Sequence, residues 1–181
     1  MLNITYFVHG TTTDNEKDLA TGWAPGELSA LGIEQAKKLG GVAADKNFSV
    51  AFCSDLKRAV DSARLAFGDK HEIIPDSRIR EANYGNFTQK PAGEFKSDMT
   101  KYINTAFPNG ESYKDVEKRV ADFIKEVSRK YDGKHIAIVA HQAPQLALDV
   151  ILKGKTWEQA IREDWRLKKA WQAGWEYVME N

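Results

Sequence analysis

The sequence LNITYFVHG at residues 2–10 has the pattern of a buried β-strand that ends abruptly on a polar residue. β-Branched and aromatic side chains dominate the stretch up to Val8, and His9 follows directly. A second stretch of this kind, HIAIVAH at residues 135–141, also ends on a histidine. Continuous apolar runs are typical of inner strands in a parallel sheet. We therefore predict strands at 2–8 and 135–140, each with a histidine at its carboxyl end.

Stretches with helical spacing of apolar residues alternate with further strand-like stretches, at 49–53 and 71–74. The predicted helices begin at Ser29, Asp55 and Ser112. The first is expected to end at Gly40-Gly41. Alternation of this kind predicts an α/β fold, a three-layer α/β/α sandwich with a mainly parallel central sheet.

Composition excludes several classes of protein. The chain has 181 residues, with 26 basic and 26 acidic side chains, which predicts one domain over 1–181 and no general attraction to nucleic acid or anionic lipid. No apolar run approaches the roughly 20 residues that cross a bilayer. The single cysteine, Cys53, is compatible with a reducing compartment, so we expect a cytoplasmic protein. Oligomeric state is not predicted.

Two segments lack a strong pattern. Residues 83–110 are rich in Gly, Pro, Asn and Lys, and we predict a lid or insert there, because long loops in compact domains are usually functional. The tail, with Trp165, Trp171 and Trp175, is predicted to form a short helix followed by an edge strand or hairpin. The basic residues near the end of the chain are interpreted as a solvated face; they are Lys153, Lys155, Arg166, Lys168 and Lys169.

Four polar residues follow or lie near predicted strand ends: His9, Arg58, Glu81 and His141. Ligands bind at the carboxyl ends of strands in open α/β sheets, and a guanidinium suits phosphate oxygens. Each histidine alone is more often structural than catalytic. Glu81 could equally be an exposed ion-pair partner of a neighbouring arginine. Together, the four residues predict a phosphate pocket.

The motifs, and their order along the chain, resemble those of the histidine phosphatase superfamily, which has the phosphoglycerate-mutase-like fold. The matching segments are Val8-His9-Gly10 with Asn15, Thr21-Gly22-Trp23, Leu28-Ser29, Ser54 to Ala59, Glu81 with Tyr84-Gly85, Gly110-Glu111-Ser112, and Ala140-His141. They extend over nearly the whole chain. Each motif alone is weak evidence, but their common order is specific.

The resemblance implies transfer of a phosphoryl group from a small phosphorylated metabolite through a phosphohistidine, with no metal and no cofactor. His9 would be the nucleophile, Arg58 and His141 would bind phosphate oxygens, and Glu81 would be the acid and base. The implied substrate-binding residues are Gly10, Asn15, Thr21, Gly22 and Gln142. Trp23 is a further candidate for substrate contact.

Three positions depart from the family pattern, and one of them is Thr11, which stands where the family commonly has glutamate. Val8 replaces the arginine that precedes the family's nucleophile, and Gln142 replaces the glycine after its closing histidine. Lys17, Lys57 and Arg80 are candidates to replace the missing arginine. The leading hypothesis is a metal-independent phosphatase. A catalytically degenerate protein that binds an anionic ligand or a protein partner is the alternative, and a phosphoglycerate mutase is the third.

Overall fold

A computed structural model describes residues 1–168 and 174–180. At its centre these residues form a five-stranded sheet with the order β3-β2-β4-β1-β5. The strands are β1 (Leu2–Val8), β2 (Val50–Ser54), β3 (Ile73–Asp76), β4 (His135–Ala140) and β5 (Trp175–Met179). All neighbouring pairs are parallel except β1 with β5, which is antiparallel. The predicted, mainly parallel sheet is confirmed.

Helices cover both faces of this sheet. They are α1 (Thr13–Glu16), α2 (Ala30–Val42), α3 (Lys57–Phe67), α4 (Gly93–Lys96), α5 (Tyr113–Lys130), α6 (Gln142–Lys153) and α7 (Trp157–Arg162). On one face, Phe7 and Val139 of the sheet pack with Leu39 of α2 and Phe67 of α3. On the other face, alternate strand residues pack against α5 and α6. The three-layer α/β/α prediction is therefore confirmed.

The predicted bounds are accurate for β1 and β4, and α5 begins at its predicted cap, Ser112. The prediction that α2 ends at Gly40-Gly41 is wrong, because the helix continues to Val42. A Cβ at Gly40 would lie 2.5 Å from the carbonyl oxygen of Ala66, so this glycine allows α2 to approach α3 closely. It does not end the helix.

The segment 83–110 is not the irregular stretch that its composition predicts. It contains short helical turns at Gly85–Phe87, α4 and Met99–Tyr102. Phe107 is buried and stacks on Tyr102, with ring centroids 4.0 Å apart. Aromatic side chains spread along the segment among polar residues, and they pack into the main core on the α5 side of the sheet. The role of the segment as a lid stays a prediction, as does the single domain over 1–181.

The tail partly matches its prediction. The edge strand is β5, and a short 3₁₀ helix, Trp165–Lys168, precedes it. Trp171 and Lys169 lie outside the described residues. Within the described residues, no helix is long and apolar enough to cross a membrane.

Candidate active site

The register between β1 and β4 brings the two strand-end histidines together. Val8 pairs with Ala140, and the backbone N–H of His9 donates to the carbonyl oxygen of Ala140 at 3.0 Å. The next residue on each strand is a histidine, and the two imidazole rings lie 5.0 Å apart between centroids. The sheet itself therefore places His9 beside His141.

Two hydrogen bonds fix the tautomer of His9. Its Nδ1 lies 2.7 Å from the carbonyl oxygen of Gly10, and because a carbonyl only accepts, Nδ1 carries the proton and donates. Its Nε2 accepts from the Nε–H of Arg58 at 3.3 Å. Burial, followed by the charge of Arg58, lowers the pKa of His9 to about 3. His9 therefore presents a neutral ring with a lone pair on Nε2.

Arg58 is nearly fully buried, with 1% of its surface exposed. Its guanidinium donates to the carbonyl oxygens of Gly22 at 2.8 Å and of Ala24 at 2.9 Å. The helix that carries it is held to the strand end through Ser62, which accepts from Gly10 N–H and donates to the carbonyl oxygen of Arg58. The guanidinium is thus fixed in orientation beside Nε2 of His9.

His141 is completely buried, and neither of its ring nitrogens has a hydrogen-bond partner within the described residues. Burial, then the charge of Arg58, holds its pKa well below the usual value. Its backbone is fixed by Tyr6, whose hydroxyl donates to the carbonyl oxygen of His141 at 2.7 Å and accepts from its N–H at 2.9 Å. Its ring therefore has two nitrogens without a hydrogen-bond partner among the described residues, next to His9.

Glu81 lies at the N-terminus of α6. One carboxyl oxygen accepts from the N–H groups of Ala82 and Ala143, at 2.8 and 3.0 Å, and the other accepts from Gln142 N–H at 3.3 Å. The interpretation of Glu81 as an exposed ion-pair partner is wrong, because only 7% of it is exposed. Helix N-terminal N–H groups favour such a carboxyl group and fix its position.

A cavity of about 250 Å³ opens over these residues. His9, Arg58 and Glu81 line it, as do all five predicted substrate-binding residues: Gly10, Asn15, Thr21, Gly22 and Gln142. His141 lies behind this lining, next to the ring of His9. Trp23 does not line the cavity. Its indole N–H donates to the carbonyl oxygen of Glu81 at 2.7 Å, and its contact with a substrate stays a prediction.

None of the three candidates to replace the missing arginine lines the cavity. Lys57 forms ion pairs with Glu27 and Asp61, and Arg80 pairs with Asp55. Among residues 1–168 and 174–180, the cations that line it are Arg58, Lys96 and Arg166. The interpretation of Arg166 as part of a solvated face is therefore wrong.

Sequence reasoning missed four residues that support the site: Tyr6, Ser62, Asp164 and Arg166. An inward-facing tyrosine two residues before the strand end was the available signal for Tyr6. Ser62 lies one turn after Arg58 on the same helix face, which was a weaker signal. The approach of Asp164 and Arg166 to the strand ends depends on the path of the tail and has no signal in the local pattern.

Comparison with known proteins identifies the family of this chain. The model of the histidine phosphatase superfamily (branch 1) matches residues 6–170. The adenosylcobalamin/alpha-ribazole phosphatase of Escherichia coli (strain K12) is 31% identical over 145 residues, covering 74% of this chain and 70% of the relative. A phosphoglycerate mutase of Schizosaccharomyces pombe is 31% identical over 173 residues, covering 86% and 82%.

The structural comparison agrees with the sequence comparisons. The crystal structure of the alpha-ribazole phosphatase from Shigella flexneri superposes with a TM-score of 0.77 at 28% identity, covering 88% of this chain and 84% of that one. The expected phosphoglycerate-mutase-like fold is thereby confirmed. With the motifs in order, the family model over most of the chain and these relatives, the chain belongs to the histidine phosphatase superfamily (branch 1).

Proposed function

We propose that this protein is a phosphatase that hydrolyses a small phosphomonoester through a phosphohistidine at His9, without a metal ion. The observation that carries the proposal is the state of His9, a neutral imidazole whose Nε2 lone pair faces a buried guanidinium at 3.3 Å. A nucleophile must hold a lone pair at neutral pH, and a phosphoryl group needs cations around its equatorial oxygens. Both conditions meet in one cavity.

The reaction would proceed in two steps. His9 Nε2 attacks phosphorus in line, the P–O ester bond breaks, and Glu81 donates a proton to the leaving oxygen. Water then attacks the phosphorus of the phosphohistidine, Glu81 takes a proton from that water, the P–N bond to His9 Nε2 breaks, and inorganic phosphate leaves. Arg58 and His141 bind the equatorial oxygens throughout. The unpartnered ring nitrogens of His141 support its role, because the described residues leave them unsatisfied.

A binding protein without turnover is the second candidate, and Val8 is the observation in its favour. Val8 lines the cavity at the position where the family carries an arginine. One missing charged hydrogen bond costs about 1.5–3 kcal/mol, so a loss confined to the transition state slows the reaction roughly tenfold to a few hundredfold. That loss weakens catalysis without abolishing it, which favours the phosphatase.

The test is phosphate release from a panel of phosphomonoesters in the presence of EDTA. We expect wild type to release phosphate and His9→Asn to lose at least about a thousandfold in rate, because the nucleophile is removed. A rapid quench should capture an acid-labile phosphoryl adduct in wild type only. His71→Asn is the matched control, because His71 packs against Phe48 and Phe67 outside the cavity.

The outcomes separate the candidates. Hydrolysis that persists in His9→Asn, or that EDTA abolishes, contradicts the proposal. An inert wild type that still binds phosphate indicates the binding protein. Transfer of phosphate to a second acceptor, dependent on a bisphosphate primer, indicates a mutase.

A further inference from the structure

Arg166 reaches the cavity from a part of the chain far from the first motif. It lies in the 3₁₀ helix Trp165–Lys168, yet it lines the same cavity as Val8 and His9. One terminal nitrogen, Nη2, is buried and has no hydrogen-bond partner within the described residues. A buried guanidinium nitrogen without an acceptor is costly, so its presence at a cavity wall points to an anionic ligand.

Contacts on the other atoms of Arg166 fix the direction of this free nitrogen. Nη1 donates to Asp164 at 2.8 Å, and Asp164 is itself buried. The guanidinium carbon lies 4.9 Å from the ring centroid of Trp165 and 5.8 Å from that of Trp175. A planar guanidinium held by a carboxylate and flanked by aromatic rings loses little further freedom on binding.

Gln142 completes this arrangement. Its side-chain amide donates to one carboxyl oxygen of Asp164, whose other oxygen accepts from Arg166. Two of the departures from the family pattern, Val8 and Gln142, are therefore parts of one arrangement. Val8 removes a cation from the strand end, and the glutamine that replaces glycine holds the carboxylate that orients Arg166.

The other candidate cation is less suited to this task. Lys96 lines the cavity, but its side chain is exposed and carries a point charge that water solvates. The half-buried guanidinium of Arg166, with its Nη2 fully buried, is closer in type to the arginine that the family uses.

We propose that Arg166 is a phosphate-binding residue that takes the place of the first-motif arginine, and that Gln142 is a positioning residue acting on it through Asp164. The inference rests on the proposed function, since it names a further ligand for the same phosphoryl group. The charge of Arg166 also contributes to lowering the pKa of His9, which agrees with the place of Arg166 in the same cavity.

The test is the affinity for inorganic phosphate, measured by calorimetry, because binding does not require turnover. We expect Arg166→Leu to weaken binding roughly tenfold to a hundredfold, as for other hydrogen bonds to charged groups. Arg162→Leu is the matched control, because Arg162 is an exposed arginine of α7 outside the cavity, and it should bind as wild type does. If Arg166→Leu fails to fold, Arg166→Gln removes the charge while keeping a polar side chain, and the same loss is expected.

Two double variants test the replacement and the positioning role. Val8→Arg should restore phosphate binding in the Arg166→Leu background and should improve wild type less. Gln142→Gly should weaken binding in wild type and have little further effect once Arg166 is leucine, because it acts through that residue.

Several results overturn the inference: unchanged phosphate affinity in Arg166→Leu or Arg166→Gln, no phosphate binding by wild type, or no rescue by Val8→Arg. Additive losses from Gln142→Gly and Arg166→Leu overturn the positioning role. A wild type that hydrolyses no monoester, combined with the expected loss in Arg166→Leu, refutes the phosphatase and supports the phosphate site. If wild type hydrolyses a monoester and Arg166→Leu binds phosphate as tightly as wild type does, the phosphatase is supported and the phosphate site at Arg166 is refuted.

Discussion

Tyr6 shows how much a single hydroxyl contributes to the site. It bonds to both backbone polar groups of His141, which is completely buried. Tyr6→Phe leaves a buried N–H and C=O without this partner, so we expect unfolding to become easier by about 1–3 kcal/mol. Because His141 then loses its fixed backbone, kcat should fall as well. Urea denaturation and phosphate release measure the two effects.

Tyr113→Phe is the matched control for this change. The hydroxyl of Tyr113 is also buried, but it has no hydrogen-bond partner within the described residues. Its removal should leave stability unchanged or improve it, since an unsatisfied polar group costs free energy. An equal loss in both variants would show that the packing of the hydroxyl matters, and not its bonds to His141.

At the residue scale, the sequence predicts what strand ends and motif order determine. His9 and His141 are predicted to lie together because parallel strands end at the same edge of a sheet. Glu81 is predicted to lie close by because it follows β3, a further strand of that sheet. Arg166 could not be predicted, because its position depends on the tail folding back over the strand ends. The residues around Arg166 in the sequence mix basic and acidic side chains, which is the pattern of an ordinary charged surface.

The contact between the segment that follows β1 and the start of α2 depends on two glycines, Gly10 and Gly32. A Cβ at Gly10 would lie 2.2 Å from the carbonyl oxygen of Gly32, and a Cβ at Gly32 would lie 1.9 Å from that of Thr11. Gly32→Ala must therefore push the start of α2 away from the strand end. We expect a loss of about 1–3 kcal/mol in unfolding free energy, together with reduced activity, because Thr11 lies two residues from His9.

Gly41 provides the control within the same helix. A Cβ there meets nothing within 4 Å, so Gly41→Ala should stabilise the protein by about 0.5–1 kcal/mol through helix propensity. Thermal unfolding of the two variants is the measurement. Similar shifts in both would mean that helix propensity alone, and not the close approach at Gly32, determines the outcome.

Elements were predictable where one pattern dominates. β1 and β4 are apolar runs that end on a histidine, and α5 has strong apolar periodicity with a clear cap at Ser112, so their bounds follow from sequence. The segment 83–110 was interpreted as irregular because its buried aromatic residues are widely spaced between polar ones. Its packing is tertiary, as in the stack of Tyr102 on Phe107, and short-range rules do not describe it.

The pH dependence of stability belongs to the whole molecule, because folding buries His141 completely and His9 in part. Burial, followed by the charge of Arg58, lowers the pKa of His9 to about 3 and that of His141 well below its usual value. An imidazole in the unfolded chain has a pKa of about 6.5. Below that pH the unfolded chain therefore binds protons that the folded protein does not.

Stability should accordingly be flat with respect to these two groups above about pH 6.5 and fall as the pH drops towards the folded pKa values. Each histidine contributes a slope of up to about 1.4 kcal/mol per pH unit in that window. Urea midpoints between pH 7.5 and pH 5 measure the slope, and the double variant His9→Asn, His141→Asn should have a shallower one. Equal slopes in the two proteins would mean that these imidazoles take up protons in the folded state. The burial that makes the protein acid-sensitive also keeps the His9 lone pair available at neutral pH, so one physical cause underlies both properties.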